Sequence, residues 1–233
     1  MAGPLARPAR AGRPGLPRPP YSPPMRLAPL VLLAALLAGA PPPTLGLGFA
    51  TVAVDDGLRL DLFDAPGGAA PPAASVGVVL SSPAALVVRP GGAARVEPAE
   101  WWPDFGLLAF RVVAVADGAV EVVVDEASGR TLWLRDGPAV TYKPWARYLV
   151  EDVTGFDRLD PARNPVRAEP HPGAPVVAGG AEPWGCVAAA EVRGEWVRTR
   201  RSDLCPPDAA GAPDGWVRWR DGDRLLIAYG LTC

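Results

Sequence analysis

The chain has 233 residues, with 23 basic side chains, 25 acidic side chains and one histidine, so its net charge at neutral pH is −2. This acidic balance argues against nucleic acid as a partner, because nucleic acid is bound by a basic surface. The three cysteines and the single histidine lack the spacing of a zinc site, and we predict neither a metal nor a cofactor.

The N-terminal segment has the composition of a leader. Residues 1–24 are rich in Pro, Ala and Arg and contain no acid, so we interpret them as a disordered or wrongly assigned extension before a true start at Met25. Arg26 and the short apolar run at 27–37 have the order of a secretory signal peptide, which we place at residues 25–50. The run is shorter than the roughly 20 apolar residues that span a bilayer, so no stable membrane span is expected after cleavage.

Two cleavage sites are open, one after Ala40 and one after Ala50, because each follows a pattern of small residues. Without residues 1–26 the chain keeps 18 basic and 25 acidic side chains, a net charge of about −7. We therefore expect an exported, acidic protein that is either periplasmic or secreted.

The region after residue 52 consists of short apolar runs broken by Gly, Pro and Asp. Apolar and charged residues alternate with a period of two, which is typical of half-buried β-strands. The clearest hairpin spans Phe110 to Val124, because Asp117-Gly118 between two valine-rich runs favours a type I′ turn. A third run, Arg130 to Arg135, completes a predicted three-stranded meander.

Residues 141–163 are too apolar for a flexible linker. We predict a short helix over Trp145 to Asp152 and expect the aromatic residues of this connector to pack between the two halves of the chain.

The C-terminal half has the same kind of pattern. The predicted strands and their turn are Cys186 to Val192, a two-residue turn at Arg193-Gly194, Glu195 to Arg200, Gly215 to Arg220 and Arg224 to Tyr229. The order of strand, tight turn and strand repeats that of the first hairpin.

The two halves resemble each other in sequence, since Leu132–Gly137 can be laid over Val217–Gly222. Internal similarity on this scale indicates a duplicated unit. Short strands that cannot bury one face alone must close on themselves, so the predicted fold is all-β, with two small barrels in tandem. We place them at 51–140 and 164–233, separated by the packed connector.

The second half contains an extended stretch with Arg167, a turn with Pro172, the strand start Gly194-Glu195-Trp196-Val197 and the later Gly215-Trp216-Val217. In this pattern it resembles bacterial SH3-like (SH3b) domains. The first half looks like a diverged copy, so the chain is similar to exported proteins with tandem SH3b domains. The resemblance implies binding of cell-wall peptides, peptidoglycan or envelope proteins.

The densest aromatic cluster contains Trp101, Trp102 and Phe105, in a predicted loop before the first hairpin. Exposed tryptophan is a common binding anchor, so these three residues are ligand-binding candidates. The alternative is that the rings cap one barrel or fill the seam between barrels.

Trp216 and Trp219 are three residues apart on one predicted strand and should face opposite sides. We expect one ring in the core and retain Trp219 as a ligand-binding candidate. Trp196 is expected in the core, because the resemblance places it there.

Four arginines alternate along two neighbouring predicted strands, namely Arg198, Arg200, Arg218 and Arg220. Arg218 and Arg220 are candidates for binding the carboxylates of a wall peptide. The alternative is a solvated face in which nearby acids neutralise the arginines.

The predicted strand pairing brings Cys186 close to Cys205, so a Cys186–Cys205 disulfide is the favoured pairing in an oxidising compartment. Cys205 with Cys233 is the alternative. A catalytic thiol beside His171 has little support, and the acids Glu97, Glu100 and Asp104 lack the cleft that glycoside hydrolysis needs.

We therefore predict an exported, non-enzymatic binding module that recognises a cell-wall peptide or a protein partner. A structural or assembly protein of the cell envelope is the first alternative, and a small hydrolase is the second. The sequence offers no credible catalytic set for the second alternative.

Overall fold

A computed structural model describes residues 45–67, 70–80, 85–89, 96–116, 118–182, 185–207, 211 and 213–231, with the backbone alone at 85–89. The predicted extension, most of the predicted signal peptide, Asp117 of the predicted hairpin turn and Cys233 lie outside these residues. The only helix of the described chain longer than one turn has seven residues, and no helix there has the length and hydropathy needed to cross a membrane.

The described chain is built mainly of antiparallel strands, which confirms the predicted all-β class. In chain order the strands are β1 (Gly48–Ala53), β2 (Arg59–Phe63), β3 (Ala74–Val79), β4 (Ala85–Arg89), β5 (Glu100–Trp102), β6 (Leu107–Ala116), β7 (Ala119–Asp125), β8 (Arg130–Arg135), β9 (Val140–Pro144), β10 (Gly155–Arg158), β11 (Val187–Arg193), β12 (Trp196–Arg201), β13 (Trp216–Arg218), β14 (Arg220–Asp221), β15 (Arg224–Leu225) and β16 (Ile227–Gly230). The helix α1 spans Trp145–Glu151 between β9 and β10, where the sequence predicts it.

Nine strands form the N-terminal sheet, in the order β4-β3-β2-β8-β7-β6-β1-β9, with β5 paired to the first part of β6. Its path is open and ends at β4 and β9, so the sheet is not a closed barrel. The predicted hairpin and meander are present as β6, β7 and β8. Gly118 takes a φ of 69° in the hairpin turn, which suits the second central position of a type I′ turn.

The N-terminal sheet buries a core of aliphatic side chains, because alternate residues of its strands face inward. Val76, Leu108 and Val122 are completely buried members of this core. The N-terminal sheet therefore has a hydrophobic core of its own.

The C-terminal strands form three small sheets, β11-β12-β13, β10-β16 and β14-β15. The turn between β11 and β12 lies one residue later than predicted, because Arg193 pairs with Trp196 and leaves Gly194-Glu195 as the turn. The predicted strand Gly215 to Arg220 is interrupted at Trp219, where the chain passes from one sheet to another.

A second core joins the N-terminal sheet to the C-terminal strands through α1. Phe49 of β1 stacks on Tyr148 of α1 with ring centroids 4.2 Å apart. Trp145, at the start of α1, lies 5.4 Å from the ring of Trp219. Because these rings share one buried cluster, α1 is part of the hydrophobic core and not a tether.

The strand β1 runs through Ala50, which is completely buried and lies between Phe110 of β6 and Tyr142 of β9. Cleavage after Ala50 would remove half of this central strand, whereas cleavage after Ala40 leaves it whole. Gly48 is required where β1 meets β9, because a Cβ there would lie 2.1 Å from the Lys143 carbonyl oxygen.

Candidate functional site

A groove of about 560 Å³ opens between the loop that follows β10 and the β14–β15 hairpin. This volume lies within the range of about 300–1,000 Å³ typical of ligand sites. We call it the arginine groove, and its lining residues are Leu159, Asp160, Arg163, Asn164, Pro165, Arg167, Pro172, Trp196, Arg218, Asp221, Arg224, Leu225 and Leu226.

The apolar part of the arginine groove includes Trp196, Leu225 and the 63% exposed Leu159. The assignment of Trp196 to the core is wrong, since its side chain is only half-buried and lines the groove. Alternation along β12 explains the difference: Val197 and Thr199 point into the core, so Trp196 lies on the opposite face.

The arginines of the groove differ in how they are neutralised. Arg218 donates to Glu195 at 2.5 Å and to Asp221 at 2.8 Å, and the Arg163 guanidinium lies 3.5 Å from a carboxylate oxygen of Asp160. Arg167 donates to the carbonyl of Ala174 at 2.6 Å and, like the exposed Arg224, forms no ion pair with an acid of the described chain.

Glu195 fixes the wall that carries Arg218. Its carboxylate accepts hydrogen bonds from the Arg218 guanidinium and, at 3.0 Å, from the backbone N–H of Gly222. The hydrogen bond from Arg218, followed by that from Gly222, holds the pKa of Glu195 below its usual range. Glu195 therefore joins the β11–β12 turn to β13 and to the β14–β15 hairpin.

The opposite wall is held by the buried guanidinium of Arg158. It donates to the carbonyl oxygens of Asn164 at 3.1 Å and Gly180 at 2.7 Å, and also to those of Pro161 and Glu182. Burial lowers the pKa of Arg158, although the ordinary value is high enough to keep the group charged at neutral pH. One side chain thus ties together four backbone carbonyls of the chain between Pro161 and Glu182.

Asn164 links the two walls directly. Its side-chain amide donates to the carbonyl of Arg218 at 2.7 Å, and its oxygen accepts from the Arg218 N–H at 3.2 Å. The groove is therefore a pre-formed feature with both walls bonded to β13.

The aromatic cluster predicted from the sequence lies on the N-terminal sheet and is not part of the arginine groove. Trp101 packs against the first core. Trp102 is 43% exposed and its indole donates to Glu100, while Phe105 is 64% exposed in a 3-10 turn at Pro103–Phe105. Trp101 is thus partly a core residue, while Trp102 and Phe105 are accessible.

The prediction that Trp219 binds a ligand at the surface is wrong. It is 2% exposed, and its indole donates to the Gly194 carbonyl at 3.0 Å. Trp216 is 7% exposed, so both rings are buried. The two rings do not face opposite sides, because the strand is interrupted at Trp219 and the ring of Trp219 turns toward the second core.

The predicted basic stripe is largely neutralised. Arg198 pairs with Asp214 at 2.8 Å, and Arg200 pairs with Asp203 at 2.9 Å. Arg220 places its guanidinium 4.9 Å from the ring centroid of Trp219. These four arginines do not form one free surface, and of them only Arg218 lines the arginine groove.

Cys186 and Cys205 form a disulfide, the pairing favoured from the sequence, with Cα atoms 5.6 Å apart. It borders a second cavity of about 370 Å³ next to the β10–β16 pair. The imidazole Nε2 of His171 lies 3.3 Å from a carboxylate oxygen of Glu169. Within the described ranges no cluster of His, Cys, Asp or Glu has the arrangement of a metal site.

Sequence reasoning missed the arginine groove as a site, although part of its signal was present. Arg167, Pro172 and Trp196 all belong to the pattern that resembles SH3b domains. Arg224 carries no comparable signal, because its placement depends on the β14–β15 hairpin.

Comparison of the chain with protein-family models, with curated proteins and with solved structures finds no match.

Proposed function

We propose that the chain is an exported, non-enzymatic binding module and that the arginine groove is its ligand site. The ligand is a cell-wall peptide or a peptide segment of an envelope protein. The observation that carries this proposal is a pre-formed groove in which the half-buried Trp196 lies beside two arginines that form no ion pair within the described part of the chain.

We propose that the two halves are diverged SH3-like units. Each half contains a three-stranded antiparallel meander, β6-β7-β8 in the first and β11-β12-β13 in the second. Arg167, Pro172 and Trp196, which carry the resemblance, converge on one groove.

Export is supported by the order of the N-terminal segment and by the disulfide, since structural disulfides persist in oxidising compartments. Cleavage is expected before Leu45, because Leu45 is buried and its carbonyl accepts a hydrogen bond from the Trp145 indole.

An assembly role in the cell envelope is the alternative. It is favoured by the accessible rings of Trp102 and Phe105 on the N-terminal sheet, which are remote in sequence from the groove.

The test is co-sedimentation of the mature protein with purified peptidoglycan. Trp196→Ala removes the aromatic wall of the groove, and Trp102→Ala is the matched control, because it removes a partly exposed tryptophan elsewhere. Thermal melting of both variants checks that they fold. We expect Trp196→Ala alone to reduce sedimentation. Loss with Trp102→Ala alone would favour the assembly role, and equal binding by all three proteins would contradict the groove as the site.

A further inference from the structure

The arginine groove is locally positive in a chain that is acidic overall. Four arginines and two aspartates line it, and Glu195 pairs with one of the arginines, which leaves a local charge of about +1, whereas the whole chain has a net charge of −2. A local charge opposite in sign to that of the chain selects for an anionic ligand through electrostatic complementarity.

Two of the four arginines remain available to a ligand. Arg218 and Arg163 have carboxylate partners, but Arg167 and Arg224 have none within the described ranges. A guanidinium presents a planar fork of donors that matches a carboxylate, and such paired hydrogen bonds are strong and directional. The free positive charge is therefore carried by groups suited to carboxylates.

Apart from Asn164, whose side chain is bonded to Arg218, the remaining lining of the groove is apolar or aromatic. Trp196, Pro165 and Leu225 are among its members, and the exposed Leu159 stands at its edge. A simple anionic polymer would leave this surface unused, whereas a peptide with alternating acidic and apolar side chains would use both parts. The volume of about 560 Å³ accommodates a short segment and not a folded domain.

From this arrangement we infer that the arginine groove binds an acidic peptide segment. Carboxylates of the segment contact Arg167 and Arg224, and an apolar side chain packs on Trp196. This inference rests on the proposed function, since it specifies the ligand class of the same groove. Arg218 contributes less, because Glu195 and Asp221 already accept its hydrogen bonds.

The probe is a fluorescein-labelled hexapeptide that alternates glutamate and leucine and has an amidated C-terminus, with binding followed by fluorescence anisotropy. Its matched controls carry glutamine or lysine in place of glutamate. We expect the acidic peptide to bind tightest and to weaken as salt is added. Arg224→Gln should reduce its affinity about tenfold, Arg224→Lys should retain part of it, and the exposed Arg130→Gln on β8 should leave it unchanged.

The outcomes separate this inference from the proposed function. Equal binding of the glutamine peptide, with no effect of Arg224→Gln, would overturn the acidic ligand but leave a peptide groove. Tighter binding of the lysine peptide would also overturn it. A further outcome is that inorganic polyphosphate displaces the labelled peptide as effectively as the unlabelled acidic peptide does. If it does so and Trp196→Ala changes the affinity for neither ligand, an anionic polymer is the occupant and the inference is wrong. Failure of all three peptides, together with unchanged sedimentation of Trp196→Ala, would reject the groove itself.

Discussion

Replacing Arg158 by methionine should destabilise the protein by about 4 kcal/mol. Methionine keeps an apolar stem of similar length, so the change mainly removes the buried guanidinium. Three of the carbonyl acceptors lie at 3.3, 3.1 and 2.7 Å from one nitrogen of that group. Each hydrogen bond to a charged group contributes about 1.5–3 kcal/mol. Water that enters the opened loop can hydrogen-bond to the freed carbonyls, so the expected loss is smaller than the sum of the three bonds.

The assay is equilibrium unfolding in urea, and an unchanged dependence of the unfolding free energy on urea concentration checks that unfolding stays cooperative. Arg158→Lys keeps the charge but loses the planar fork, so we expect an intermediate loss of about 2 kcal/mol. The exposed Arg130→Gln is the control and should stay within about 0.5 kcal/mol of the parent protein. Hydrogen exchange should show lost protection at Val166, whose N–H donates to the Gly180 carbonyl. A stability of Arg158→Met equal to that of the control would refute the reasoning.

Three further substitutions, one of them with a matched control, test other parts of the structure. Gly48→Ala should cost about 3 kcal/mol, because its Cβ would collide with the Lys143 carbonyl, whereas Gly57→Ala meets nothing within 4 Å and should cost about 1 kcal/mol of backbone strain in the same urea assay. Tyr148→Phe should be neutral or stabilising by up to about 1 kcal/mol in thermal melting, since the buried hydroxyl has no hydrogen-bond partner in the described chain; a clear loss would reveal a missing partner. Glu195→Gln should be less stable than the parent at neutral pH, because the pKa of Glu195 is lowered in the folded state and its ionised carboxylate therefore stabilises the fold above the unfolded-state pKa. This contribution is lost in acid, so the difference in stability between the two proteins should close as the pH falls below about 4. A gap that does not change with pH would contradict this assignment.

Local signals in the sequence were sufficient for the strands and the first hairpin. Asp117-Gly118 between valine-rich runs specifies a turn through backbone conformation alone, and the β6–β7 pair forms there. The helix α1 and the Cys186–Cys205 disulfide also follow from local pattern and strand pairing.

The arrangement of the sheets could not be predicted in this way. Period two assigns faces only while a strand continues, so the interruption at Trp219 reversed the expected exposure of its ring. Trp196 was misassigned for a different reason: its core position was taken from the resemblance, whereas the inward face of β12 is taken by Val197. The open N-terminal sheet depends on long-range pairing, such as β1 with β9, for which no short motif exists.

The site could be predicted only in part from the sequence. Tryptophan and arginine are common at binding sites, but the sequence does not show which of them a fold buries or neutralises. Arg198 and Arg200 are neutralised by acids from loops, whereas Arg224 lines the groove. The deciding contacts join residues far apart in the chain, as Asn164 and Arg218 show.

The most direct test of the central claim is a two-dimensional NMR titration of the tryptophan indole N–H signals with the glutamate–leucine peptide. The indoles of Trp145 and Trp219 are buried and bonded to backbone carbonyls, so their signals should change little. We predict that the Trp196 indole signal, assigned by its loss in Trp196→Ala, shifts progressively with added peptide. A stationary Trp196 signal with a shifting Trp102 signal would place the ligand on the N-terminal sheet and contradict the account.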